Sequence, residues 1–344
     1  MPVTEPAQIA IRAHGLRKSF RVKDEAVAAV SGLDLTVAAG QIFGFLGPNG
    51  AGKTTTLRML TTLLSADAGE AFVAGADVMR RPQQVRRRIG YVGQLGGSDA
   101  SATGLENLLL QARLHGMTAA AAASRAQDLI NLFDLGAFAG RIVRSYSGGQ
   151  RRRLEVALGI LHHPQVLFLD EPTTGLDPQN RANLWDQVRQ LRDGGTTVFL
   201  TTHYLDEADQ LSDRLAIIDC GRVIAEGTPA QLKQRYSGDT VSITPAGPPD
   251  SLPAVERELA GIPLVVSTRI QDGSIRLAVT DATPALAAIF AVLDAKGIAI
   301  RAAALAQPSL DDVFLHETGR SLRDAGSPAS GPATPRPAGE QVAA

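Results

Sequence analysis

Three observations predict an α/β fold class for this 344-residue chain, with a helical insert and a smaller α+β unit behind it. Apolar runs such as "QIFGFLG", "VLFLDE" and "TVFLTT" alternate with helical segments through residues 8–237. Such alternation builds a mainly parallel sheet covered on both faces. The stretch at about 96–146 turns to Ala- and Leu-rich helical spacing. Past Gly238 the pattern resets to β-α-β-β-α-β, the ferredoxin-like order.

Taken in order, "AVAAV" and "LDLTV" read as two short strands, and "QIFGFLG" as a buried strand running into a glycine loop. "KTTTLRMLTTLL" is a helix and "EAFVAG" a strand. "LENLLLQARLHG" and "AAASRAQDLINLFDL" form the helical insert. Strands return at "VLFLDE", "TVFLTT" and "RLAIID", with the helix "NRANLWDQVRQLRDGG" among them. In the C-terminal unit, expected over 238–319, "PLVVSTRI" and "SIRLAVTD" meet at "QDG", a hairpin signal. "PAVERELAG", "TPALAAIFAVLDAKG" and "SLDDVFLHETG" are its helices. Residues 320–344 are rich in Ala, Gly, Ser and Pro and are expected to be disordered.

Composition removes several function classes. Lys plus Arg number 34 against 35 Asp plus Glu, so bulk charge gives no grip on nucleic acid. The lone Cys220 rules out an internal disulfide or an all-cysteine metal cluster and fits a reducing cytoplasm. The start carries no basic-then-apolar leader pattern. No apolar run approaches the roughly 20 residues needed to span a bilayer.

"GPNGAGKTT" lies between a strand and a helix, the context a phosphate-binding loop requires. Gly47, Pro48, Asn49, Gly50, Ala51 and Gly52 bring backbone N–H groups close to phosphate. Lys53 reaches the β and γ phosphates of a nucleotide, Thr54 offers a hydroxyl to Mg²⁺, and Thr55 completes the loop. An apolar strand ending in Asp170-Glu171 supplies a metal-holding carboxylate and a general base for the attacking water. His203 ends another apolar strand, where ligands bind in open α/β sheets. A lone histidine is usually structural, but this position favours contact with the γ-phosphate. Phe20 fits adenine stacking and a core position equally by spacing. Arg151 to Arg153 and "RRPQQVRRRIG" read first as solvated surface.

"RSYSGGQRRRLE" poses a separate question. Ser147-Gly148-Gly149-Gln150 opens a helix and so offers N–H groups and a positive dipole end to an anion. It lacks the lysine and threonine needed to own a nucleotide, and makes half a site.

Together "GPNGAGKTT", Gln94, "YSGGQ", "VLFLDEP", "GLD" and His203 resemble the ATP-binding cassette ATPases, over about residues 8–236. "SYSGGQRRRLEVALGILHHPQVLFLDEPTTGLDP" and "PSLDDVFLHETGR" are similar to the daunorubicin-resistance type of exporter ATPase. The small residues after Gln94, "GQLGGSDASATGLENL", reveal no substrate. The resemblance implies ATP and Mg²⁺ as ligands, with Gln94 near the metal or the attacking water. It implies a head-to-tail homodimer in which the Ser147 turn of one chain faces the nucleotide of the other, with Asp177 at the seam. It also implies separate transmembrane permease subunits, a peripheral location on the cytoplasmic face of the membrane, and efflux of drug-like or lipid-like molecules. An importer subunit and a non-transport cassette ATPase are the alternatives.

Overall fold

The computed structural model describes residues 8–22, 25–236, 239–246, 248, 251–271, 273–306 and 309–322. Three sheets organise them.

The first sheet corrects an expectation. "AVAAV" and "LDLTV" are not two strands but parts of one, β2 (Glu25–Ala38), which pairs antiparallel with β1 (Ile9–Val22). Gly32 lets the strand continue. It takes φ +86° where Leu16 pairs with Leu33 and Arg17 with Ser31, so the bulge absorbs the extra residue.

The second sheet is the expected parallel one. Its strands are β3 (Ile42–Leu46), β6 (Ile89–Val92), β7 (Val166–Asp170), β8 (Thr197–Thr202), β9 (Arg214–Asp219) and β10 (Arg222–Gly227). The order is β10-β9-β3-β8-β7-β6, and only the edge strand β10 runs antiparallel to its neighbour. The remaining strands β4 (Ala68–Val73) and β5 (Ala76–Asp77) extend the first sheet.

Every residue of β3, β7 and β8 is buried, and strand alternation sorts them to two cores. Ile42, Leu167, Leu169, Val198 and Leu200 face the helical insert. Phe43, Phe45, Val166, Phe168 and Phe199 face the antiparallel sheet. The rings of Phe43 and Phe199 stack at 5.7 Å.

Helices α1 (Lys53–Leu60) and α2 (Pro82–Arg88) follow β3 and β5. The insert holds α3 (Gly104–Leu114) and α4 (Ala119–Leu132). Thr103 and Glu106 form a capping box on α3, and Thr118 caps α4. Then come α5 (Gly148–Gly159), α6 (Pro178–Asp193), α7 (Leu205–Leu211) and α8 (Pro229–Tyr236).

The third sheet contains β11 (Asp239–Pro245), β12 (Val265–Gln271), β13 (Ser274–Val279) and β14 (Ile300–Ala306), ordered β12-β13-β11-β14 and antiparallel throughout. Helices α9 (Leu252–Ala260) and α10 (Ala282–Ala295) cover one face, through Val255, Leu259, Ile289 and Leu293. This is the expected ferredoxin-like order.

The last helix, α11 (Leu310–Thr318), does not belong to that core. Leu310, Val313 and Phe314 pack with Leu46, Ala208, Leu215, Ile217 and Leu232 of the parallel-sheet unit. Its acidic first turn reaches back to the third sheet, where Asp311 pairs with Arg269, and Asp312 with Arg276 at 3.5 Å. The disorder expected from residue 320 does not begin there. Arg320 pairs with Asp219, Ser321 donates to Asp311, and Leu322 is buried beside α11. A salt bridge, a hydroxyl hydrogen bond and one leucine hold these residues where composition alone gave no anchor. Residues 323–344, the rest of that expectation, lie outside the described residues.

Candidate functional site

The C-terminal ends of β3, β8, β7 and β6 lie side by side and deliver Gly47, His203, Glu171 and Gln94 to one edge of the sheet. The glycine loop is fixed by close approach. A β-carbon at Gly47 would collide with the carbonyl of Ile218, and one at Gly52 with that of Ala29. Gly50 and Gly52 also hold φ of +82° and +102°, which favours glycine. Lys53 is 5% exposed and donates to the carbonyls of Gly47 (2.8 Å) and Pro48 (3.1 Å). Burial lowers its pKa, against the pull of Glu171 at 3.2 Å.

Asp170 is buried at the end of β7. Its Oδ1 accepts from Thr54 Oγ1 (3.1 Å) and Thr201 Oγ1 (2.7 Å). Oxygen donors grouped in this way suit a hard cation such as Mg²⁺. Glu171 takes φ +46°, a conformation that costs on the order of 1–3 kcal/mol for a residue with a side chain. Its N–H holds the strain in place by donating to the carbonyl (3.1 Å) and hydroxyl (3.0 Å) of Thr201. The turn swings its carboxylate between Lys53 and His203, whose Nδ1 stands 3.2 Å from Oε2, off the line of a good hydrogen bond. Burial opposes ionisation of Glu171, but His203 and Lys53 together prevail and bring its pKa down to about 2. The carboxylate is therefore charged at neutral pH, as a general base must be.

Gln94 is exposed at the end of β6 and lines a cavity of about 530 Å³ with Asp170, and another of about 400 Å³ with Gly148 and Glu171. Phe20 is 40% exposed on β1 with Lys18 Nζ 5.8 Å above its ring, so of its two readings the core one fails.

Ser147 caps α5. Its Oγ accepts from the N–H of Gln150 (3.2 Å), while Gln150 Oε1 accepts from that of Ser147 (3.0 Å). The N–H groups of Gly148 and Gly149, in the first turn, have no partner within the helix. Gly148 is open on its side-chain face, whereas a β-carbon at Gly149 would strike Asn180. Asp177 caps α6 by accepting from the N–H of Asn180 (2.9 Å) and is exposed. Among the described residues no hydrogen bond or ion pair joins Ser147, Gly148, Gly149 or Gln150 to residues 47–55 of the same chain.

Two residues escaped the sequence reading. Arg152 is not on a solvated face. It is buried and donates to the carbonyls of Gly93 (2.7 Å), Pro172 (2.8 Å) and Asp170 (3.1 Å), tying α5 to the Gln94 and Glu171 segments. In a run of three arginines nothing local marks the middle one. The second is Glu207, fully buried against the indole of Trp185 (3.1 Å). An acidic residue inside "HYLDEAD" carries no sign of burial.

A P-loop, a strand-end carboxylate pair, a strand-end histidine and a capped SGGQ turn on one parallel sheet define an ATPase, and the chain belongs to the ATP-binding cassette family. The ABC transporter family model matches residues 30–174, and that of the ATP-binding protein DrrA1-3-like C-terminal domain matches residues 227–318. Among relatives, the chain is 47% identical to the daunorubicin resistance ATP-binding protein DrrA3 of Streptomyces coeruleorubidus, over 92% of this chain and 98% of that one. It is 45% identical to the daunorubicin/doxorubicin resistance ATP-binding protein DrrA of Streptomyces peucetius, covering 93% and 96%. It is 40% identical to the Nod factor export ATP-binding protein I of Paraburkholderia xenovorans (strain LB400), covering 92% and 99%. A solved ATP-binding cassette bound to ADP and phosphate shares the fold, with a TM-score of 0.59 at 24% identity over 63% of this chain and 98% of that one.

Proposed function

We propose that this chain is the ATP-hydrolysing subunit of an exporter for drug-like or lipid-like molecules, working as a homodimer on the cytoplasmic face of a membrane. Relatives named for daunorubicin resistance and for Nod factor export support the direction of transport. Among the described residues no helix is long and apolar enough to cross a membrane, so the passage itself belongs to separate permease subunits.

In this reading residues 47–55 hold the phosphates of ATP, with Phe20 beside the adenine. Thr54, Asp170 and Gln94 hold Mg²⁺, which when bound neutralises charge on the β and γ phosphates. Glu171 accepts the proton of the attacking water, and His203 contacts the γ-phosphate and keeps Glu171 charged. The observation that carries the two-chain site is the capped turn at Ser147. It presents N–H groups and an open Gly148, yet it makes no bond to its own P-loop. A second copy brings the missing half, with Asp177 near the seam.

The cavity of about 530 Å³ between the insert and the sheet is lined by Gln94, Leu95, Gln111, His115, Glu155 and His162. Leu95 at its rim is 93% exposed, which suits an apolar segment of the permease. We further propose that 8–237 is the nucleotide-binding domain, with its helical subdomain at about 96–146, and 238–319 an accessory one, with α11 as the part that docks back. Pull-down of the full chain from detergent-extracted membranes tests the assignment. A co-purifying membrane protein that stimulates ATP hydrolysis is expected, and copurification with ribosomes or DNA would contradict it.

A further inference from the structure

The nucleotide chemistry uses Glu171 and His203 but leaves unexplained a second carboxyl only four residues past His203. Glu207 lies in the first turn of α7 and has no exposed surface. A buried, unpaired carboxylate is costly, so such a group is retained only with partners. Its partners come from three different segments. Oε1 accepts from Nε1 of Trp185, in the middle of α6. The hydroxyls of Thr202, just before His203, and of Thr173, two residues past Glu171, lie beside it. Both threonines are fully buried.

Each of those segments leads to a different working part. Thr202 Oγ1 accepts from the N–H of Tyr204 (2.9 Å), closing the turn that carries His203. The carbonyl of Thr173 accepts from the N–H of Leu176 (3.1 Å), closing the turn that delivers Asp177 to the start of α6. Trp185 belongs to the helix that Asp177 caps. Among the described residues the other hydrogen bonds and ion pairs between α6 and α7 are at the surface: Arg181 to Asp206 (3.1 Å) with its guanidinium over Tyr204, and Arg189 to the carbonyl of Gln210 (3.1 Å). Glu207 joins all three segments from inside through polar contacts. Glu207 Oε2 and Thr173 Oγ1 are both buried without a well-formed hydrogen bond, so a small shift of either turn makes or breaks an O–H···O contact between them.

We propose that Glu207 is a positioning residue for ATP hydrolysis, a buried carboxyl that locks the His203 loop to the turn presenting Asp177 to the second chain. The state of the γ-phosphate felt by His203 then sets how Asp177 is offered across the seam. Burial raises the pKa of Glu207, above the opposing effects of Thr202, Trp185 and Thr173. The proposal rests on the two-chain site described above.

The test compares Glu207→Gln, Glu207→Leu and Trp185→Phe in the full chain, with nucleotide affinity and turnover measured separately. An amide keeps the shape and an oxygen that accepts from the Trp185 indole, so Glu207→Gln should retain turnover near the wild-type value. Glu207→Leu should keep ATP affinity but lower kcat by about tenfold to a hundredfold, the usual cost of losing a group that positions a reacting one. Trp185→Phe should fall in the same direction, and the Glu207→Leu/Trp185→Phe double variant should be no worse than the poorer single. Trp185 is the single tryptophan of the chain, so any ATP-induced change in its emission should vanish in Glu207→Leu. Wild-type turnover in a folded Glu207→Leu chain, or in Trp185→Phe should the leucine variant misfold, would overturn the proposal alone, as would a Gln variant as slow as the Leu variant. Failure of the parent Glu171→Gln chain to dimerise with ATP would overturn the two-chain site and this proposal with it.

Discussion

The two glycine turns of this molecule, at Gly47–Thr55 and Ser147–Gln150, both open helices, yet only one is finished. The P-loop is enclosed. Its glycines sit where side chains would collide with Ile218 and Ala29, and its lysine is buried against its own carbonyls and Glu171. The Ser147 turn is closed on itself by a capping box and exposed at Gly148. Backbone packing within one chain shapes the first. In the proposed two-chain site the second meets the nucleotide held by another copy, which is why it is left open within its own chain.

The contrast breaks most visibly in the chemistry. Glu171→Gln should lower turnover by about 10²–10⁴-fold while leaving ATP affinity intact, because the amide cannot accept the water's proton. Steady-state hydrolysis and a nucleotide titration check both halves. Retained turnover would remove Glu171 from the role of base.

A smaller effect compares the turns directly. Gly47→Ala places a methyl against the Ile218 carbonyl and should destabilise the fold by about 1–3 kcal/mol. Gly148→Ala meets nothing within 4 Å and should shift stability by less than about 0.5 kcal/mol, as exposed substitutions do. Denaturant midpoints decide it, and equal losses would show that the Ser147 turn is as enclosed as the P-loop.

A further effect is electrostatic. Glu171 has a folded pKa of about 2 against an ordinary 4.5. Its charge therefore contributes stability that is complete above pH 4.5 and is lost as pH falls toward 2. Melting temperatures of the wild type and Glu171→Gln should converge across that window. A gap that persists at its acid end would mean that Lys53 and His203 do not stabilise the charge.

The P-loop was legible because its chemistry is written in consecutive residues, and β3, β7 and β8 because every position in them before the terminal Asp170 of β7 is apolar or small. The Asp170-Glu171 pair and His203 were legible from their places at strand ends. What escaped depends on distant partners. β2 is exposed over its first four residues and alternates only in its second half, and only pairing with β1 reveals it as one strand. Arg152 and Glu207 look like surface charges until the carbonyls of residues 93, 170 and 172 and the indole of Trp185 are brought to them. The helix α11 was legible in "SLDDVFLHETG", and its Phe314 is fully buried. That its neighbour is the parallel-sheet unit, with Leu46 and Leu215, follows only from three-dimensional placement.

ATP-driven pairing is the most direct consequence of the proposed two-chain site. In a Glu171→Gln background, which holds ATP unhydrolysed, light scattering should report a dimer with ATP and a monomer without it. Adding Gly148→Asp places a carboxylate at the exposed start of α5 without the clash with Asn180 that the same change at Gly149 would cause. That double variant should bind ATP as tightly as its parent and remain monomeric. A dimer that persists with the carboxylate in place would contradict the claim that the Ser147 turn completes the partner's nucleotide site.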